Sequence, residues 1–290
     1  MSSRVREVLI QVDSIPLSGL QADPDGPPRG LILALHGGGA RAAYWHSPVD
    51  PGSGLLELGA RLGWRVLALD RPGYGASADP AASGVSAPAQ AVLLEQVLGT
   101  VGYGNLPVVL AGHSLGAVVA GHLAARLRQA RLRAVALGGL PLAYTEEQSA
   151  RMALADVSGP VMTRPPGGTR PDPAAWFGPP GTWDPRIANY RRSLVTSTPT
   201  AEFLDARDAP SVLPAVLSRI AVPVQFAVAE HECTTADAAV LLGAARRALP
   251  KITGNDLFTV LNSGHNLSLG HAARAYHLRL LAFAEASLAG

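Results

Sequence analysis

Charge is scarce in this sequence: Asp, Glu, Lys and Arg make up 16% of the 290 residues, where a soluble domain usually carries about 25%. Aromatic residues are few as well, at 5%, and lysine and cysteine each occur once, at Lys251 and Cys233. Each shortage excludes something. Low charge beside 48% hydrophobic residues excludes intrinsic disorder, which needs many charges and few apolar side chains. The 24 Lys+Arg against 22 Asp+Glu leave a formal net charge of +2 and no basic run, which argues against a nucleic acid or an anionic membrane as partner. One cysteine cannot close an internal disulfide, so the fold does not depend on an oxidising compartment. Met1–Gln11 has no apolar stretch of signal-peptide length. Gln96–Ala125 carries no Asp, Glu, Lys or Arg, but its Gly, Asn, Pro and His residues break it, whereas a membrane span needs about 20 mainly apolar residues. A soluble cytoplasmic protein, monomeric or homodimeric, is expected.

What the chain does have is a series of short apolar runs punctuated by its 31 Gly and 24 Pro. Val5–Val12 alternates in part and leads to a Pro/Gly-rich stretch, Asp23–Gly30, as an opening edge hairpin would. Strands are predicted at Leu31–Leu35, Trp64–Leu69, Val108–Ala111, Arg133–Leu137, Pro223–Ala229 and Leu257–Leu261. Helices are predicted at Gly54–Leu62, Pro88–Val101, Leu115–Arg128 and Ala272–Leu288. That alternation predicts an α/β fold with a mostly parallel central sheet flanked by helices. Between Leu140 and Ile220 the rhythm stops for far more chain than a crossover helix requires. Within Pro165–Pro185 lie seven prolines and four glycines, interleaved with Trp176, Phe177 and Trp183. The expected organisation is a core of residues 1–139 and 221–290 with 140–220 as an inserted cap, helical at Thr145–Val157 and Ile187–Asp208 and irregular between. A disordered surface loop over 163–185 is the alternative.

Gly112-His113-Ser114-Leu115-Gly116 fits the pattern G-x-S-x-G, between a buried strand and a helix. A serine there sits on a sharp turn that projects its oxygen from the sheet edge, and the two glycines remove side chains that would collide as strand and helix approach. The helix N-terminus beneath Ser114 favours negative charge developing nearby. A Gly-rich turn carrying an ordinary surface serine is the bland alternative.

The sequence is similar to the α/β-hydrolase superfamily over most of the chain outside the cap. The resemblance rests on His36-Gly37-Gly38-Gly39, Asp70-Arg71-Pro72-Gly73-Tyr74-Gly75-Ala76-Ser77, the turn at Ser114, Ala229-Glu230-His231-Glu232 and Gly264-His265-Asn266. It implies a Ser–acid–His triad in that chain order and an oxyanion hole made by two backbone N–H groups. Of the eight histidines, His265 follows a predicted strand end at the same sheet edge as Ser114 and is expected to be the base. His36 is expected to brace the glycine loop, His113 and His122 to pack, and His271 and His277 to be structural. For the acid the family favours Asp in a Gly-x-x-Asp turn; here Ala229 replaces the glycine and Glu232 stands at the acid's position. Glu232 is the expected acid, with Glu230, Asp237 and Asp256 left open.

The oxyanion donors implied are the N–H groups of Leu115 and Gly38. The three successive glycines are not a phosphate loop, because no Lys-Ser/Thr follows them. Tyr44, Trp45, Trp176, Phe177 and Trp183 are candidates for a pocket wall, with core packing as the alternative. No metal-ligand spacing or dinucleotide fingerprint occurs, and no cofactor is expected. The expected function is hydrolysis of a carboxylic ester, thioester or lactone, a small-molecule acyl substrate, through an acyl-enzyme. An acyltransferase or cyclase using the same triad, or an inactive binding protein of the same fold, would carry the same motifs.

Overall fold

The computed structural model describes residues 5–13, 15–77, 85–100, 103–127, 131–163, 174–249 and 252–289. The expectation for 163–185 therefore falls partly outside the described residues, at 164–173. Eight strands form one sheet: β1 (Val5–Val12), β2 (Ile15–Ala22), β3 (Leu31–Leu35), β4 (Arg65–Leu69), β5 (Val108–His113), β6 (Leu132–Gly138), β7 (Val224–His231) and β8 (Ile252–Gly264). Their order is β1-β2-β4-β3-β5-β6-β7-β8. β1 pairs with β2, and β2 with β4, antiparallel; every later pairing is parallel. The helices are α1 (Leu55–Arg61), α2 (Ala87–Gly99), α3 (Leu115–Arg126), α4 (Glu146–Ala153), α5 (Ala174–Phe177), α6 (Arg191–Leu194), α7 (Thr200–Leu217), α8 (Ala238–Ala248) and α9 (Ala273–Leu288). The expected α/β class and mostly parallel sheet are what the chain forms.

The two faces of the sheet differ in side-chain size. Leu31, Leu33, Leu35, Leu67, Leu69 and Leu110 share one buried cluster with residues of α2, α3, α7 and α8. The alternate positions Ala34, Ala68, Ala111, Ala136, Ala227 and Ala229 face the other cluster, filled by Tyr44, Trp45, Trp64 and Tyr276 with α1 and α9. The period of two along a strand produces this sorting. The parallel pairing aligns the C-terminal ends of β3 to β8 along one rim, the edge at which open parallel sheets bear their sites.

α3 packs so tightly on β3 that Gly116 admits no side chain: a Cβ there would lie 2.2 Å from the Leu35 carbonyl oxygen and 2.3 Å from that of His36. Gly116→Ala is expected to destabilise the protein by about 3 kcal/mol, because both obstacles are backbone. A melting temperature equal to wild type would contradict this packing.

Between β6 and β7 the described residues contain helices and isolated bridges. The helix expected over Ile187–Asp208 is instead a 3₁₀ turn (Pro185–Tyr190), α6, an extended break and α7. Pro199 pushes only Thr198 out of helical geometry; the stretch before it is held extended by backbone bonds, Thr196 N–H to the Gly39 carbonyl at 2.9 Å and Met162 N–H to that of Thr198 at 3.0 Å. α7 runs beyond Asp208 through Pro210 and Pro214 because Ala209, Leu213 and Leu217 bury against the core.

Candidate active site

Ser114 joins β5 to α3 with φ 53° and ψ −120°, a conformation that costs a non-glycine residue about 1–3 kcal/mol. Neighbouring hydrogen bonds hold it there. Its N–H donates to the Gly138 carbonyl at 2.8 Å, and its own carbonyl accepts from Ala117 and Val118 at the start of α3. A serine at a helix start ordinarily bonds back to the backbone, but this hydroxyl makes no capping bond. It does not hydrogen-bond His265 either.

His265, just past β8, has a side chain 3% exposed; that of Glu232, just past β7, is 0% exposed. His265 Nδ1 lies 2.8 Å from Glu232 Oε2 and 3.0 Å from Oε1. Oε1 also accepts from the N–H of Cys233 at 3.1 Å, the N–H of Thr234 at 2.9 Å and the Thr234 hydroxyl at 2.7 Å. Burial favours the neutral acid, but His265 and the Thr234 donors outweigh it and hold the Glu232 carboxyl down at about 2. The other acids lie elsewhere. Glu230 accepts from the Asn262 N–H at the exposed edge, Asp237 caps α8 through Val240 N–H, and Asp256 bonds Thr253.

The two pieces meet through His113. Its Nε2–H donates to the His265 carbonyl at 2.7 Å, and the two rings are 4.8 Å apart. A Cβ at Gly139 would touch both, 3.1 Å from His265 Cε1 and 3.3 Å from His113 Nε2. Ser114, His113 and His265 thus converge on the ends of β5, β6 and β8.

Gly37-Gly38-Gly39 passes beside Ser114. A Cβ at Gly37 would lie 3.1 Å from Ser114 Cβ, and one at Gly38 only 2.5 Å from Leu115 Cδ1. His36 Nδ1–H donates to the Gly37 carbonyl at 2.8 Å and Nε2 accepts from the Arg71 N–H. With that carbonyl held, the trans peptide turns the Gly38 N–H the opposite way. Beneath the loop lies a buried network that the sequence did not reveal. Arg71 Nε–H donates to the His36 carbonyl at 2.9 Å, and its guanidinium pairs with Glu202 on α7. The Tyr74 hydroxyl and Gln90 also donate to Glu202.

Trp176 stands 5.8 Å from the His265 ring and is 37% exposed. Its carbonyl accepts from Asn266 N–H at 2.7 Å. Phe177 and Trp183 stack on each other 5.0 Å apart. Tyr44 and Trp45 are different: they are 1% and 0% exposed, and Tyr44 stacks on His113 while its hydroxyl accepts from Ser268 N–H. These two pack under the site and offer no surface to a pocket.

Burial favours the neutral ring of four histidines: His36 falls well below its ordinary value, His113 to about 3 through burial and then His265, His277 to about 4, and His122 is lowered by burial and then Arg219. In the unfolded chain each would titrate near 6.5. Below that pH the unfolded state binds more protons, so stability should fall between pH 6.5 and 4 by up to about 1.4 kcal/mol per pH unit for each ring. His46, raised by Glu57, opposes the trend. A melting temperature that stays flat between pH 7 and 5 would refute it.

The description "alpha/beta hydrolase family" belongs to the family model that matches residues 32–277. No curated relative matches the sequence. Among solved structures, a monoacylglycerol lipase of Paleococcus ferrophilus is 18% identical, with 92% of this chain and 98% of that one covered and a TM-score of 0.66. Carboxylesterase CesB of Bacillus subtilis is also 18% identical, at 97% and 91% coverage and TM-score 0.65. A thioesterase domain from the curacin biosynthetic pathway is 18% identical, at 96% and 99% coverage and TM-score 0.63. Identity this low shows a shared fold.

Proposed function

The chain belongs to the alpha/beta hydrolase family, and we propose that it is a serine hydrolase cleaving a carboxylic ester, thioester or lactone through an acyl-enzyme. The observation that supports this most is the buried His265–Glu232 pair beside a strained, uncapped Ser114 at one sheet rim. Ser114 Oγ attacks the substrate carbonyl while His265 Nε2 takes its proton. Glu232 keeps the Nδ1–H tautomer and stabilises the imidazolium. The N–H groups of Leu115 and Gly38 receive the developing oxyanion; Leu115 opens α3, where a helix leaves N–H groups without intrahelical partners. His265 then protonates the leaving group, and water, deprotonated by His265, releases the acid. The hydroxyl's missing bond to His265 fits a contact that tightens when substrate binds.

In this reading residues 140–220 form a cap on a core of 1–139 and 221–290, with the inner face of α7 anchoring it to α3. Trp176, beside His265 and partly exposed, and the Phe177–Trp183 stack behind it contact the acyl or alcohol group. Among the described residues no helix is long and apolar enough to cross a membrane, and the lone cysteine suits a reducing cytoplasm.

A fluorophosphonate probe should label wild type and fail on Ser114→Ala, and a panel of p-nitrophenyl esters, acyl thioesters and lactones should show turnover that the same substitution removes. Labelling that persists in Ser114→Ala would refute the assignment.

A further inference from the structure

We infer that Thr234 is a positioning residue of this site: its hydroxyl locks the Glu232 side chain in the one arrangement that serves His265. The inference rests on the triad reading above and explains how that site accommodates the longer acid. A glutamate has one more rotatable bond than an aspartate, so its carboxylate must be held back against its own turn to meet the imidazole. Thr234 does this with both its donors, its N–H at 2.9 Å and its hydroxyl at 2.7 Å from Oε1. Oε2 is thereby left for His265 Nδ1, at 2.8 Å.

The same hydroxyl oxygen stands 2.9 Å from His265 Nδ1. Its only proton is committed to Oε1, so it can offer Nδ1 nothing but a lone pair, and Nδ1 must carry the hydrogen. The opposite assignment, a hydroxyl donating to a bare Nδ1, would set that nitrogen's lone pair against the Glu232 carboxylate. Carboxylate and hydroxyl together therefore fix one tautomer, with the Nε2 lone pair turned to the nucleophile. A β-branched side chain restricts rotation about its own χ1 and suits this task. The turn has independent anchors: Gln148 Nε2 donates to the Cys233 carbonyl, and Ala236 N–H to that of Ala143 at 2.9 Å. Removing the hydroxyl alone leaves those anchors in place.

The experiment measures kcat, KM and melting temperature with p-nitrophenyl butyrate for Thr234→Val, Thr234→Ser, Glu232→Gln and the double variant Thr234→Val/Glu232→Gln. Thr234→Val should lose on the order of tenfold in kcat, the worth of one charge-assisted hydrogen bond, with KM little changed. Thr234→Ser should restore kcat. In the Glu232→Gln background Thr234→Val should cost nothing further, because residues acting as a unit are not additive. Should Thr234→Val melt too low to assay, Thr234→Ser and Thr234→Ala carry the same comparison. Wild-type kcat in Thr234→Val beside an inactive Glu232→Gln, a loss that Ser does not restore, or losses that multiply in the double variant would overturn the positioning role alone. Wild-type kcat in Glu232→Gln would overturn the triad reading, and this inference with it.

Discussion

Glu232→Gln is expected to lower kcat by about 10⁴-fold, some 5 kcal/mol of transition-state stabilisation, while leaving the fold intact. The size follows from how the amide must sit. Three donors converge on Oε1: the N–H groups of Cys233 and Thr234 and the Thr234 hydroxyl. In the variant these select the amide oxygen and turn the NH₂ group towards His265 Nδ1. A donor facing Nδ1 forces the proton onto Nε2, the nitrogen that in the proposed mechanism has to accept it from Ser114. The base is then present in the wrong tautomer. Glu230→Gln is the control, since Glu230 meets the Asn262 N–H and the His231 ring at the exposed edge, away from His265, and should turn over normally. The measurement is steady-state hydrolysis of p-nitrophenyl butyrate at neutral pH; near-normal turnover in Glu232→Gln with loss in Glu230→Gln would reverse the assignment.

The strands and the turn at Ser114 were readable in the sequence because their requirements are local. Five apolar residues followed by glycines leave Leu31–Leu35 little choice but a buried strand, and only small neighbours permit the turn between Gly112 and Gly116. The choice between Glu230 and Glu232 was not readable. Both lie in one short stretch, and the register that pairs His231 with Gly264 separates them, one to the exposed edge and the other past the strand end to His265. Tyr44 and Trp45 follow the glycine loop in sequence, which suggested a wall. Their burial depends on α1, α9 and the small Ala side chains of the sheet, a fact of packing rather than spacing. Thr234 gave no signal, since a threonine in a turn is ordinary until its partners are known. The most hidden feature was Arg71, whose partner Glu202 lies 131 positions away with no periodicity to link them.

That pair carries the largest expected effect on stability. Arg71 and Glu202 have side chains 0% and 2% exposed, so neither charge has water to fall back on. Burial works against the guanidinium, and Glu202 more than compensates, raising the Arg71 pKa. Glu202→Ala would leave a buried cation with the His36 carbonyl, the Gln90 side chain and the Tyr74 ring in place of a counter-charge, and should cost about 3–5 kcal/mol of folding stability. The damage should also reach catalysis. Arg71 holds the His36 carbonyl by Nε–H and the His36 ring by its backbone N–H, and His36 in turn holds the Gly37 carbonyl that sets the direction of the Gly38 N–H. Loosening the pair from α7 therefore loosens the Gly38 N–H, the proposed oxyanion donor. Replacing both charges, as Arg71→Met with Glu202→Leu, should recover much of the stability, because no uncompensated ion remains. It should not recover kcat, because the grip on the His36 carbonyl is still absent. Urea unfolding and ester hydrolysis on the two variants and wild type separate the two effects. A Glu202→Ala protein less than about 1 kcal/mol weaker than wild type would place the pair in the range of exposed salt bridges, and a double variant with full kcat would show that the glycine loop keeps its shape without Arg71.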